Sequence, residues 1–109
     1  MQVSGYRLMW ILVMFDLPTD TKEARAAYRT FRETLKDLGF SMIQYSIYSR
    51  SSASEEAAKV HMNKIKLILP DDGQIRVIIL TDKQYGRMEV YCGKIRAPTE
   101  KAPEQLEFF

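Results

Sequence analysis

At 109 residues, with 46% hydrophobic and 28% charged side chains, the chain has the make-up of one ordinary globular domain and excludes a low-complexity or disordered polypeptide. A net charge of +2 excludes bulk positive charge as a source of nucleic-acid affinity, which would have to come from cations gathered on one surface. The single cysteine, Cys92, excludes an internal disulfide; with no basic-then-apolar leader and an apolar run, Leu8 to Phe15, too short to span a bilayer, the expectation is a cytoplasmic protein.

Taken in chain order, Leu8 to Phe15 is apolar at every position, the pattern of a central strand covered on both sides. It stops on Asp16, and Pro18 removes the backbone donor that a longer ladder would need. Asp20 followed by Glu23 predicts a helix start with Asp20 as the cap, and Gly39 predicts its end near Leu38. The aromatic and β-branched stretch Phe40 to Arg50 predicts two short strands broken near Gln44 to Ser46. A second helix follows, capped by Ser52 or Ser54, with Glu55 placed to complete a capping box with Ser52. The segment 70–73, PDDG, is a turn signal; 74–81 is a strand; Asp82 to Arg87 is a turn or short helical piece. Met88 to Gly93 is a weaker last strand, and the polar tail from Lys94 ends in the extended-looking QLEFF.

This order predicts an α+β, ferredoxin-like βαββαβ fold with an additional C-terminal strand, residues 1–93, and a tail, 94–109, that docks on a partner. The fold carries many functions, so side chains have to decide among them.

Two features stand out. On a helical wheel, Ala24, Tyr28, Phe31, Leu35 and Leu38 fall within roughly 80°, the stripe that packs on a sheet. Lys22, Arg25, Arg29, Arg32 and Lys36 fill a neighbouring sector of about that width, and Glu23, Glu33 and Asp37 are assigned to the opposite flank. Five cations at three- and four-residue spacing repel one another unless an anion lies along them, so the ridge is a candidate nucleic-acid surface, with a solvated salt-bridged helix as the plain alternative. Five neutralised phosphates per subunit would give a log–log salt slope of about −4.5.

The second feature is Asp16, at the carboxyl end of the most apolar strand, where ligands gather in open sheets. It is a turn residue at Leu17 and Pro18, or a metal ligand. Magnesium is usually held by one or two carboxylates with waters and phosphate oxygens, and no second acid stands clearly beside it. A twofold dimer would supply one by facing two copies of Asp16 across its axis. Of the remaining residues, His61 reads as a satisfied, half-buried member of the apolar face of the second helix, and Arg76 as pointing outward from its strand. Tyr45 and Tyr48 read as packing in preference to stacking on bases.

The strand ending in FDLP, the arginine-rich helix, GFSMIQYSIYSR, a second helix and VIILTDKQYGRM together resemble the Cas-two family, the small CRISPR-associated adaptation subunit, in its type II branch. The resemblance spans Met9 to Gly93. It implies a homodimer whose late strands cross onto the partner's sheet, bridging dimers of the CRISPR integrase and holding duplex DNA for insertion as spacers. It also implies a magnesium-dependent endonuclease on RNA or DNA, with Asp16 as catalytic residue and metal ligand shared between subunits; scaffolding is the leading role and enzyme activity varies among members. Leu17 and Pro18 follow Asp16 where some branches carry a second aspartate, so the resemblance supplies one acid per subunit. A sheet-face RNA-binding module is disfavoured, because the central strands are aliphatic and lack the glycine-aromatic motif.

Overall fold

The computed structural model describes residues 8–103, with elements β1 Met9–Asp16, α1 Lys22–Asp37, β2 Ser41–Gln44, β3 Ile47–Ser52, α2 Glu55–Lys66, β4 Gln74–Thr81, α3 Asp82–Gly86, β5 Val90–Cys92 and β6 Ile95–Ala97. The QLEFF segment lies outside the described residues. Four strands form one antiparallel sheet in the order β2-β3-β1-β4, so the split βαβ order expected from the sequence is present and the fold is ferredoxin-like. No helix among the described residues is long and apolar enough to cross a membrane.

Strand β1 lies between β3 and β4 along its length, and the strand pleat sorts its side chains. Met9, Ile11, Val13 and Phe15 point to the helical face, where they pack with Phe31 and Leu35 of α1, Ala58 and Ile65 of α2, and Tyr48 of β3. Phe15 makes edge contacts with Tyr28 and Phe31 at centroid distances of 5.7 and 5.1 Å. Burying side chains of this size contributes about 1.5–3 kcal/mol each. On the other face stand Trp10, Leu12, Met14 and Asp16. Trp10 is covered by Tyr85 of α3, stacked at 4.0 Å, and its indole N–H donates to Asp82 at 2.7 Å. Leu12 and Met14 remain half-buried, and Ile78 beside Leu12 is 43% exposed. The second cover expected for β1 is therefore provided at one end only within this chain.

Local signals place most boundaries, with three corrections. The cap of α1 is Thr21, not Asp20: its hydroxyl accepts from the Ala24 N–H, one residue further into the helix than the aspartate can reach. For α2 the cap is Ser54, accepting from Ala57, because Ser52 is still a β3 residue paired with Met9 and cannot share in a capping box with Glu55. The weak last strand, β5, does not join the main sheet; it pairs with β6 in a separate hairpin turned at Gly93, so the first residues of the tail are themselves a strand. The break in Phe40–Arg50 falls at Tyr45–Ser46, with Ser46 at φ 62°.

The tail returns over the open face. The Tyr85 hydroxyl donates to Glu100 Oε1 at 2.9 Å and, with its own proton so committed, accepts from the buried Ser49 hydroxyl at 3.2 Å. Burial pushes the Tyr85 hydroxyl up to about 12; the Ser49 bond opposes this and Glu100 adds to it. Between pH 10 and 12 the folded state therefore holds a proton that the unfolded state has lost, and stability falls as pH rises through that window. Tyr85→Phe is expected to lose about 1 kcal/mol at pH 8, by chemical denaturation, and to lose less than the wild type between pH 10 and 12. An equal alkaline loss in both proteins would assign the titration to other groups.

Candidate functional site

Asp16 ends β1 in register with Gln74 of β4, and the pleat places it with Met14 and Arg76 on the face opposite the helices. It is exposed, and no hydrogen bond or ion pair engages its carboxylate among the described residues. Asp16 therefore does not cap the turn through its side chain, the role that the plain reading gave it. The turn is held instead by backbone: the Phe15 N–H donates to the Ser46 carbonyl at 3.0 Å, tying the end of β1 to the β2–β3 turn. On the other side Gly73, at φ +94°, presses against it; a Cβ there would lie 2.8 Å from the Asp16 carbonyl and 2.5 Å from Leu17 Cδ2.

A depression of about 310 Å³ opens at this strand end, lined by Asp16, Tyr45, Ser46, Gln74 and Arg76 over a floor of Met14, Phe15 and Ile47. It contains one carboxylate and one guanidinium. Among the described residues no three His, Cys, Asp or Glu side chains come together as a ligand set. One free carboxylate meets the lower limit of what magnesium uses, and a second would meet the upper. Asp16 is thus a single carboxylate that could serve as one ligand of such an ion.

The ridge on α1 is present in part. Lys22, Arg25, Arg29 and Lys36 are exposed, and Arg25 Nη1 donates to the Thr19 carbonyl at 3.0 Å, bracing the helix entry. Arg32 differs. It is half-buried, its Nε has no partner among the described residues, and its Nη2 lies 3.6 Å from Glu33. Lys36 is 3.7 Å from that same carboxylate. Glu33 consequently does not lie on an opposite flank. At 100° per residue it falls only about 20° beyond Lys22 on the wheel, within reach of the basic sector. Lys22, Arg25 and Arg29 remain clear of carboxylates among the described residues.

Two further side chains tie α1 to the sheet and its turn, Arg50 away from Asp16 and Tyr28 beside the depression. Arg50 of β3 donates through Nη1 to the Leu38 carbonyl at 2.6 Å and through Nε to the Ser51 carbonyl at 3.0 Å, tying the end of α1 to the sheet; burial lowers its pKa. A Cβ on Gly39 would lie 2.6 Å from that guanidinium nitrogen. Only spatial proximity, not local spacing, identifies this contact. Tyr28 belongs to the packing stripe as expected, and its hydroxyl also reaches Ser46 Oγ at 3.0 Å. His61 is half-buried, with burial first and Arg50 and Lys64 next lowering its pKa, but its Nδ1 lacks the partner expected of a satisfied residue. Tyr48 is buried as a packing residue, whereas Tyr45 is 75% exposed.

Residues 9–88 match the family model described as CRISPR associated protein Cas2. The chain belongs to the Cas2 family. Relatives named CRISPR-associated endoribonuclease Cas2 include one from Parvibaculum lavamentivorans, 50% identical over 93% of this chain and 100% of that one. Another, from Flavobacterium psychrophilum, is 49% identical over 99% of this chain and 94% of its own. A solved structure titled "Crystal structure of cas2" is similar in fold, with a TM-score of 0.55 at 16% identity, covering 88% of this chain and 99% of that one. The Cas2 match includes the strand ending in Asp16, the ridge helix and the Tyr45 turn.

Gly73→Ala combines a left-handed backbone with a clash against the Asp16 carbonyl, and is expected to lower stability by about 2 kcal/mol in denaturant unfolding. Gly86→Ala, where nothing lies within 4 Å, serves as the control and is expected to be far milder.

Proposed function

We propose that this Cas2-family chain acts as an adaptation subunit: a homodimer that bridges dimers of the CRISPR integrase and holds duplex DNA for spacer integration. The observation that carries this reading is the row of exposed cations Lys22, Arg25 and Arg29 on one side of α1, clear of carboxylates, in a protein whose net charge is only +2. Arginines at two of these positions suit forked phosphate contacts. Support for pairing comes from the open sheet face, where Leu12, Met14 and Ile78 leave apolar surface beside Asp16. A second copy seated there would extend burial of β1 and double both the acid and the ridge.

With Glu33 drawing on Arg32 and Lys36, three free cations per subunit give a log–log salt slope of about −2.7 rather than −4.5. Replacing Lys22, Arg25 and Arg29 together with Glu is expected to weaken duplex binding roughly 100-fold or more at 0.1 M salt, flatten the slope and abolish spacer acquisition. Arg32 is left in place because its half-buried side chain belongs to the packing. Unchanged duplex affinity in the triple variant overturns this surface.

A second reading, metal-dependent endonuclease, is favoured by the unengaged carboxylate of Asp16 in a depression that also presents Arg76. In it, Asp16 from each copy would hold magnesium, which supplies activation of a water and charge stabilisation at a phosphodiester. Arg76 would orient a phosphate oxygen of the substrate and offset its repulsion from Asp16. Two such carboxylates about 4 Å apart repel by about 4 kcal/mol at an effective dielectric near 20, which favours either a shared proton or a cation between them. Asp16→Asn is expected to lower cleavage of single-stranded RNA by at least about 100-fold in the presence of magnesium, with the solution mass still that of a dimer. Cleavage persisting in the variant excludes Asp16, and a persistent monomer at high concentration excludes pairing.

A further inference from the structure

Tyr45 has no use in either role above, yet it is built as a fixed feature. It occupies the two-residue turn between β2 and β3, where Ser46 adopts φ 62°. The turn is held from three sides. The Ser46 carbonyl accepts from the Phe15 N–H at 3.0 Å, the Ser46 hydroxyl meets the Tyr28 hydroxyl at 3.0 Å, and the Tyr45 ring stacks on that of Tyr28 at 6.3 Å and 25°. Tyr28 is in turn packed by its edge on Phe15 of the core. Despite these restraints Tyr45 is 75% exposed. An aromatic ring held in place but left open to water gains nothing from burial within the chain, and its free surface is pre-organised for a flat partner.

The surroundings specify the partner's chemistry. Tyr45 forms one wall of the depression that contains Asp16, Gln74 and Arg76. Its volume of about 310 Å³ sits at the small end of ligand sites, which run from about 300 to 1,000 Å³. A flat π-surface, an amide able to donate and accept, and a guanidinium are together the groups that receive an unpaired nucleobase and its phosphate. Bases in the interior of a duplex cannot meet such a ring, because both of their faces are already stacked.

We propose that Tyr45, backed by Tyr28, is a stacking platform for one unpaired nucleobase of a single strand or frayed strand end, seating the adjoining phosphate in the depression beside Arg76 and Asp16. This deepens the reading of the chain as a nucleic-acid-handling protein and rests on it. It also separates two surfaces: the α1 ridge takes a duplex by its phosphates, and the Tyr45 turn takes a base that has left the stack. Tyr45 then acts as a positioning residue for any chemistry at Asp16.

The test uses the full chain, without divalent metal, and a short single-stranded RNA carrying 2-aminopurine at one position, alongside a blunt DNA duplex. Wild type is expected to quench the single-stranded probe. Tyr45→Ala is expected to abolish the quench and weaken single-strand binding roughly 5- to 150-fold, the range for losing one base–aromatic stack, while duplex affinity stays unchanged. Tyr45→Phe is expected to keep both, since the ring and not the hydroxyl makes the platform. Because the side chain is mostly exposed, both variants are expected to melt within a few degrees of wild type. The platform is overturned if Tyr45→Ala quenches and binds as wild type, if duplex binding falls equally, or if Tyr45→Phe fails like Tyr45→Ala. It is also overturned if wild type gives no quench while Tyr45→Ala lowers the solution mass, which would place the ring at a seam between two copies. The Lys22, Arg25 and Arg29 reversal separates the two readings: intact duplex binding in that variant removes the scaffold surface, while quenching by wild type still supports the platform.

Discussion

The double ladder that holds β1 between β3 and β4 is the constraint on which the remaining structure depends. With both edges occupied, the strand cannot slip without moving its whole alternating set of side chains to the wrong face. Ile11, Val13 and Phe15 are thereby committed to the helices, and Leu12, Met14 and Asp16 to the open face. The acid at the strand end is not an accident of a loop. Its direction is set by the same pleat that builds the core, and the Phe15–Ser46 bond ends the ladder one residue before it.

From that end, three elements converge on one small region: the last residue of β1, the first residues of β4, and the β2–β3 turn. The core reaches the turn through Phe15 and Tyr28, so the geometry around Asp16 is coupled to packing against α1. That same helix bears the exposed cations on a side adjacent to its buried stripe. The exposed cations and the Tyr28 support of the Tyr45 turn thus share one helix. One chain supplies the depression with a single carboxylate.

Much of this was legible beforehand, because the relevant signals are local. Apolar continuity named the central strand, Gly39 marked the helix end, and the stretch Phe40 to Arg50, extended by its β-branched and aromatic residues but long for one strand, implied a break near Gln44 to Ser46. The fold order and the position of Asp16 followed from these. Contacts set by distance in space were not legible. Arg50 reaching the Leu38 carbonyl and Glu100 meeting Tyr85 both depend on side-chain reach across elements, whereas Glu33 beside Arg32 and Lys36 is a neighbour on the same helix that the wheel already places next to the basic sector. Thr21 displaced Asp20 as the cap because a single-residue shift in where the backbone turns decides which side chain meets the Ala24 N–H. Strand β6 escaped notice for a related reason: three residues carry too little pattern until a partner strand is placed beside them.

What the chain's order of residues determined by itself was the set of elements, the face of α1 that packs, and the location of one acid at the end of the most apolar strand. Periodicity and turn chemistry act over a few neighbours, so the linear string contains them. Tertiary structure alone decided that Arg32 is half-buried, that Asp16 is left unengaged, and that Tyr45 stacks on Tyr28 while remaining open to solvent. Exposure and pairing are properties of surfaces, and a surface exists only after distant segments have packed against one another.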